Sequence, residues 1–124
     1  MSALIMIVDD SAMIRMQVKR ALSGAGFDVV QALDGRDAAE QIASGAQPSL
    51  IVCDVNMPRM NGLEFLEHLR DAGCDVPVIM LTTEGQPDMI RRARLLGAKG
   101  WLVKPFRPDL LLAAATKMVA RAAA

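Results

Sequence analysis

The 124-residue sequence has no tyrosine, a single tryptophan, a single histidine and two cysteines. Cys53 and Cys74 form neither a disulfide framework nor a metal-ligand spacing, so both are expected to be reduced thiols of a cytoplasmic protein. The lone histidine, His68, falls in a helical pattern away from the strand ends and reads as a surface or partly packed side chain. Charge of one sign is not in excess: Lys plus Arg number 14 and Asp plus Glu number 14. That balance excludes a general nucleic-acid binder, whose affinity rests on surplus positive charge. Long hydrophobic runs are missing too. Ala3 to Val8 is far too short to span a bilayer, and Asp9-Asp10 ends it. No basic stretch precedes that run, so neither a secretory signal nor a membrane is expected, and Met1-Ser2 reads as a natural start.

Hydrophobic content is high, at 52%, with 23% charged residues, a composition that folds rather than staying disordered. The nine methionines read as core fillers. Length and composition fit one domain over residues 1–124. Short apolar runs at Ala3–Val8, Phe27–Ala32, Leu50–Cys53, Val76–Leu81 and Gly100–Val103 read as strands. Most are continuous rather than alternating, as in parallel strands covered on both faces. Helical spacing fills the intervals: Ser11–Ser23, Gly35–Ser44, Gly62–Ala72, Pro87–Leu96 and Pro108 to about Ala122. Asp10 or Ser11, Asp34 and Asn61 suit the helix starts; Gly24, Gly45 and Gly73 suit the stops. Pro87 and Pro108 sit where a first helical residue tolerates the missing N–H. The alternation predicts an α/β fold, a doubly wound (βα)5 domain around a five-stranded parallel sheet.

Sites in such sheets form outside the carboxyl ends of the strands. Those ends carry Asp9 and Asp10, Asp54, Thr82 and Thr83, and Lys104. Taken singly each has a plain reading: a cap, a loop-entry acid, β-branched strand residues, a solvated lysine. Their coincidence at four strand ends favours chemistry. Converging carboxylates repel, and a hard divalent cation such as Mg²⁺ with oxygen ligands relieves this. Threonine and lysine could hold the remaining oxygens of a phosphoryl group, giving a site for a phosphorylated carboxylate.

Four blocks, IMIVDDS at Ile5–Ser11, CDVNMPRMNG at Cys53–Gly62, MLTTEG at Met80–Gly85 and VKPF at Val103–Phe106, carry a resemblance across essentially the whole chain. They resemble the signature blocks of bacterial two-component response-regulator receiver domains, of the stand-alone chemotaxis-regulator type. The resemblance implies a flavodoxin-like receiver fold with strand order 2-1-3-4-5. By position it implies Asp54 as phosphoacceptor from a phosphohistidine of a sensor histidine kinase or phosphotransfer protein. It implies Mg²⁺ held by Asp9, Asp10, Asp54 and the backbone carbonyl of Asn56. Thr82 and Lys104 would bind the phosphoryl group, Lys104-Pro105 would be a cis peptide, and Thr82 with Trp101 would form the switch. Trp101 stands where the family more often has Tyr or Phe. Asn56 and Glu84 fall at positions that modulate the lifetime of the phosphorylated state.

Two rival readings are weaker. A Mg²⁺-dependent aspartyl-phosphate phosphohydrolase resembles an Asp-x-Asp pattern, but Asn56 cannot serve as its proton shuttle. A flavin or nucleotide binder needs a Gly-, Ser- or Thr-rich phosphate loop after the first strand, where this chain has Asp9-Asp10. Output is expected through protein contacts. Between Glu84 and Asp109 six basic residues face three acids, so helix 4, strand 5 and helix 5 form a candidate surface for a downstream target or a weak dimer on activation.

Overall fold

A computed structural model describes residues 3–83 and 85–123. Its elements run β1 (Leu4–Val8), α1 (Ala12–Gly24), β2 (Asp28–Ala32), α2 (Gly35–Ala43), β3 (Leu50–Cys53), α3 (Gly62–Asp71), β4 (Val78–Thr82), α4 (Pro87–Leu95), β5 (Gly100–Val103) and α5 (Pro108–Ala123). The strands form one parallel sheet in the order β2-β1-β3-β4-β5. Met1-Ser2 and Glu84 lie outside the described residues.

Alternate residues of each central strand feed two cores. Met6, Val8, Ile51, Cys53, Val78 and Met80 pack with Phe65, Leu66 and Leu69 of α3, Ala38 of α2 and Ala93 of α4. Ile5, Ile7, Leu50, Val52, Ile79 and Leu81 pack with Val18 and Leu22 of α1 and Leu111 and Ala115 of α5. This two-sided cover explains the continuous apolar runs of β1, β3 and β4. The edge strands are barer: Asp28 and Gln31 of β2 and Val103 of β5 are exposed.

Boundaries shift from the sequence reading by one or two residues. Ser11 precedes α1 as its cap, with its hydroxyl accepting from the Ile14 N–H. The helix runs through Gly24, and the left-handed turn is taken by Gly26 at φ 95°. Asp34 and Asn61 cap α2 and α3, the latter in a reciprocal capping box with Glu64. β4 begins at Val78, after Pro77, and extends through Thr82, which is therefore a strand residue rather than a loop one.

Candidate functional site

Strand register builds the site. Val8 of β1 lies opposite Cys53 of β3, so Asp9 and Asp54 emerge side by side one residue later, and the Asp54 N–H donates to the Val8 carbonyl at 2.9 Å. Thr82 closes β4 opposite Val103, and the Lys104 N–H donates to the Thr82 carbonyl at 2.9 Å. The carboxylates of Asp9, Asp10 and Asp54 can bring oxygens within 4.8 Å of one another. Asp9 and Asp54 are buried while Asp10 is exposed, so the cluster opens to solvent on one side.

Lys104 ties the cluster together. Its Nζ lies 2.7 Å from Asp9 Oδ2 and 3.4 Å from Asp54 Oδ2, and its side chain is only 12% exposed. Its peptide bond to Pro105 is cis. Asp54 Oδ1 accepts from the Val55 N–H at 2.8 Å, and the Thr82 side chain also hydrogen-bonds to Asp54. Burial pushes the Asp54 carboxyl above its ordinary value, and the neighbouring Asp9 charge adds to this. Lys104, the Val55 N–H and Thr82 offset only part of that rise. Buried like charges of this kind fit a hard cation with oxygen ligands, which is the chemistry of Mg²⁺.

The structure brings Asp9, Asp10, Asp54, Thr82 and Lys104 to one end of the sheet, as the sequence led one to expect. Asn56 lies two residues beyond Asp54 in the loop to α3 and is exposed. Trp101 sits in β5 opposite Met80, on the face that carries Thr82, half-buried against the α3–α4 core. Its indole N–H is buried with no hydrogen-bond partner among the described residues. Thr83 is exposed and His68 is on the exposed side of α3, apart from the cluster. Cys53 is fully buried, and burial followed by the charges of Asp54 and Asp9 pushes its thiol well up. It is a core residue, not a nucleophile.

Three contacts have no signal in the local sequence pattern. The Arg15 guanidinium on α1 donates to the Asp9 carbonyl at 2.6 Å and to Gln31 Oε1 at 3.1 Å. Arg59, in the loop after β3, grips Asp34 at the head of α2 through two donors. Asp34 thus does more than cap its helix. Burial raises its carboxyl, but the Arg59 hydrogen bond and charge with the Asp37 and Arg36 N–H groups outweigh that and hold it below the ordinary value.

The sequence matches the response regulator receiver domain family over residues 5–116. The chain belongs to that family. It is 36% identical to the chemotaxis protein CheY1 of Helicobacter pylori over 110 residues, covering 86% of this chain and 89% of that one. It is 41% identical to the response regulator MprA of Mycobacterium ulcerans over 113 residues, covering 91% of this chain but 48% of that longer protein. The solved structure of the Vibrio cholerae chemotaxis protein CheY4 superimposes with a TM-score of 0.88 at 41% identity, covering 95% of this chain and 99% of that one. Phosphorylation-controlled switching is the general function of receiver domains, and this chain is a CheY-like member.

Proposed function

We propose that this receiver accepts a phosphoryl group on Asp54 from the phosphohistidine of a sensor histidine kinase or phosphotransfer protein. One observation carries the reading: a buried carboxylate at the end of β3 that faces a second carboxylate and shares one lysine with it. An Asp54 oxygen forms the new P–O bond as the P–N bond to the donor imidazole breaks. The imidazole leaves with the electron pair of that bond. Asp9, Asp10, Asp54 and the Asn56 carbonyl would hold Mg²⁺, which neutralises carboxylate and phosphoryl charge when bound.

Lys104 and Thr82 supply the remaining polar groups. In the resting protein the Lys104 ammonium already spans Asp9 and Asp54, so it is placed to follow charge onto an acyl phosphate. Thr82 bonds to the same carboxylate and can transfer that bond to a phosphoryl oxygen. Such a shift opens space on the face of β4 and β5 that Trp101 shares, coupling the site to the switch. The chain is a phosphoacceptor that assists its own transfer and dephosphorylation, not a turnover phosphohydrolase, since Asn56 offers no proton shuttle.

Signal leaves by protein contact in the cytoplasm. Among the exposed residues of α4, β5 and α5 are Leu95, Val103, Leu110, Arg91 and Arg94, apolar and basic groups suited to an acidic partner or a weak dimer on activation. Incubation with Mg²⁺ and phosphoramidate, followed by intact mass, tests the reading. One added phosphoryl group is expected in the wild type and none in Asp54→Asn. Equal labelling of both would refute it.

A further inference from the structure

The loop from Val55 to Asn61 carries Asn56, and both of its ends are fixed. At its base the Gly62 N–H donates to the Val55 carbonyl at 2.8 Å. A Cβ at Gly62 would strike the Asp54 carbonyl oxygen, so the chain packs there without slack. At its crest Arg59 holds φ 64°, making it the one non-glycine residue with positive φ among the described residues. L-residues with a Cβ avoid that region, and glycine would adopt it at no steric cost. What arginine gains there is visible. Its Nε lies 2.8 Å from Asp34 Oδ2 and its Nη2 3.2 Å from Asp34 Oδ1, a two-point grip on a side chain that is 5% exposed.

Asp34 has a second peculiarity. Its Oδ1 already accepts from the Asp37 N–H at 2.9 Å, and asparagine would perform that capping equally well. A buried carboxylate is costly unless paired, so the charge at position 34 is explained by Arg59 rather than by the helix. The backbone reinforces the contact. The Gly35 N–H donates to the Met60 carbonyl at 3.1 Å, and a Cβ at Gly35 would stand 2.8 Å from that oxygen.

We propose that Arg59 and Asp34 form a latch that tethers the crest of this loop to the head of α2 and so pre-sets the chain around Asn56 for the divalent cation. Both are positioning residues, and the inference rests on the reading of Asp9, Asp10, Asp54 and Asn56 as the cation's ligands. With Val55 held at one end by the Gly62 N–H and Arg59 and Met60 held at the other, the chain from Asn56 to Arg59 has little room to wander. Releasing the latch charges the ordering of that segment to metal binding.

The test is calorimetric titration of the full chain with Mg²⁺ at a temperature where circular dichroism shows every variant folded. Asp34→Asn keeps the cap and drops the charge; Arg59→Ala removes the grip; Arg59→Gly removes the grip and also relieves the backbone. All three are expected to weaken Mg²⁺ binding by roughly tenfold. The double variant Asp34→Asn with Arg59→Ala should be no weaker than either single, because one contact is lost in each case. Arg59→Lys should recover part of the loss. Labelling of Asp54 by phosphoramidate should return to the wild-type rate at saturating Mg²⁺. Wild-type Mg²⁺ affinity in Asp34→Asn and Arg59→Ala overturns the latch and leaves the Asp54 site standing. Additive losses in the double variant, or full recovery in Arg59→Gly, likewise overturn it. A wild type that binds no Mg²⁺ overturns the site reading and the latch together.

Discussion

Removing the Asp54 charge should stabilise the metal-free protein and, by the same change, remove most of its response to Mg²⁺. In the fold Asp54 stands within 4.8 Å of Asp9 and 3.4 Å from the Lys104 ammonium. At an effective dielectric of about 20 the repulsion is at least about 3.5 kcal/mol and the attraction about 5 kcal/mol. These largely cancel. The dehydration of a carboxylate whose side chain is only 8% exposed, worth several kcal/mol, then decides the sign, and the upward displacement of its titration agrees. Asp54→Asn keeps an acceptor for the Val55 N–H and leaves Lys104 paired with Asp9. We expect a gain of about 1 kcal/mol in EDTA at pH 7, or roughly 4 °C in Tm for a chain of this length. The folded wild type takes up a proton at Asp54 more readily than the unfolded chain. Its stability relative to the variant is therefore best below the ordinary carboxylate value of 3.8 and declines as pH rises through the raised one. Mg²⁺ reverses the order. At a hundredfold excess over its dissociation constant a ligand adds about 2.7 kcal/mol, available to the wild type and largely lost to the variant. Differential scanning calorimetry in EDTA and in Mg²⁺ reads both effects. A wild type more stable than Asp54→Asn in EDTA, or equal Mg²⁺ shifts in the two, would refute the reasoning.

Gly62→Ala should cost about 1–3 kcal/mol in urea unfolding, because the new methyl meets the Asp54 carbonyl, Val55 Cα at 2.9 Å and Met80 Cε at 2.8 Å. Wild-type stability in that variant would mean the loop base is not tightly packed. Alkylation of the native protein should modify Cys74 alone, since Cys53 is fully buried with its thiol pushed up; two adducts before unfolding would contradict this burial. Trp101 emission should shift when Mg²⁺ and beryllofluoride are added, vanish as a response in Asp54→Asn and weaken in Thr82→Ala. Identical spectra and quencher access in all states would make Trp101 a static packing residue.

The fold was legible because two signals repeat five times: short apolar runs and helical spacing between turn residues. The cluster of acids, threonine and lysine was legible because its members sit at strand ends, where a parallel sheet must bring them together. Strand limits slipped where local chemistry is ambiguous. Thr82 is β-branched and pairs with Val103, so the ladder continues through a residue that the sequence leaves at a boundary. The ion pairs were hidden for a different reason. Lys104 and Asp9 are 95 residues apart and Arg59 and Asp34 are 25 apart, so no local periodicity records either contact. The positive φ of Arg59 was equally silent, because the usual markers of that region are glycine and asparagine.

The identity of the phosphorylated residue is the most direct test of the whole account. The wild type is incubated with phosphoramidate, with and without Mg²⁺, and the acyl phosphate is trapped by borohydride, which converts the modified aspartate to homoserine. Peptide mapping by mass spectrometry then locates the reduced position. The account predicts homoserine at position 54 alone, and only where Mg²⁺ was present. Reduction at Asp9 or Asp10, or at Asp54 to the same extent without Mg²⁺, would contradict it.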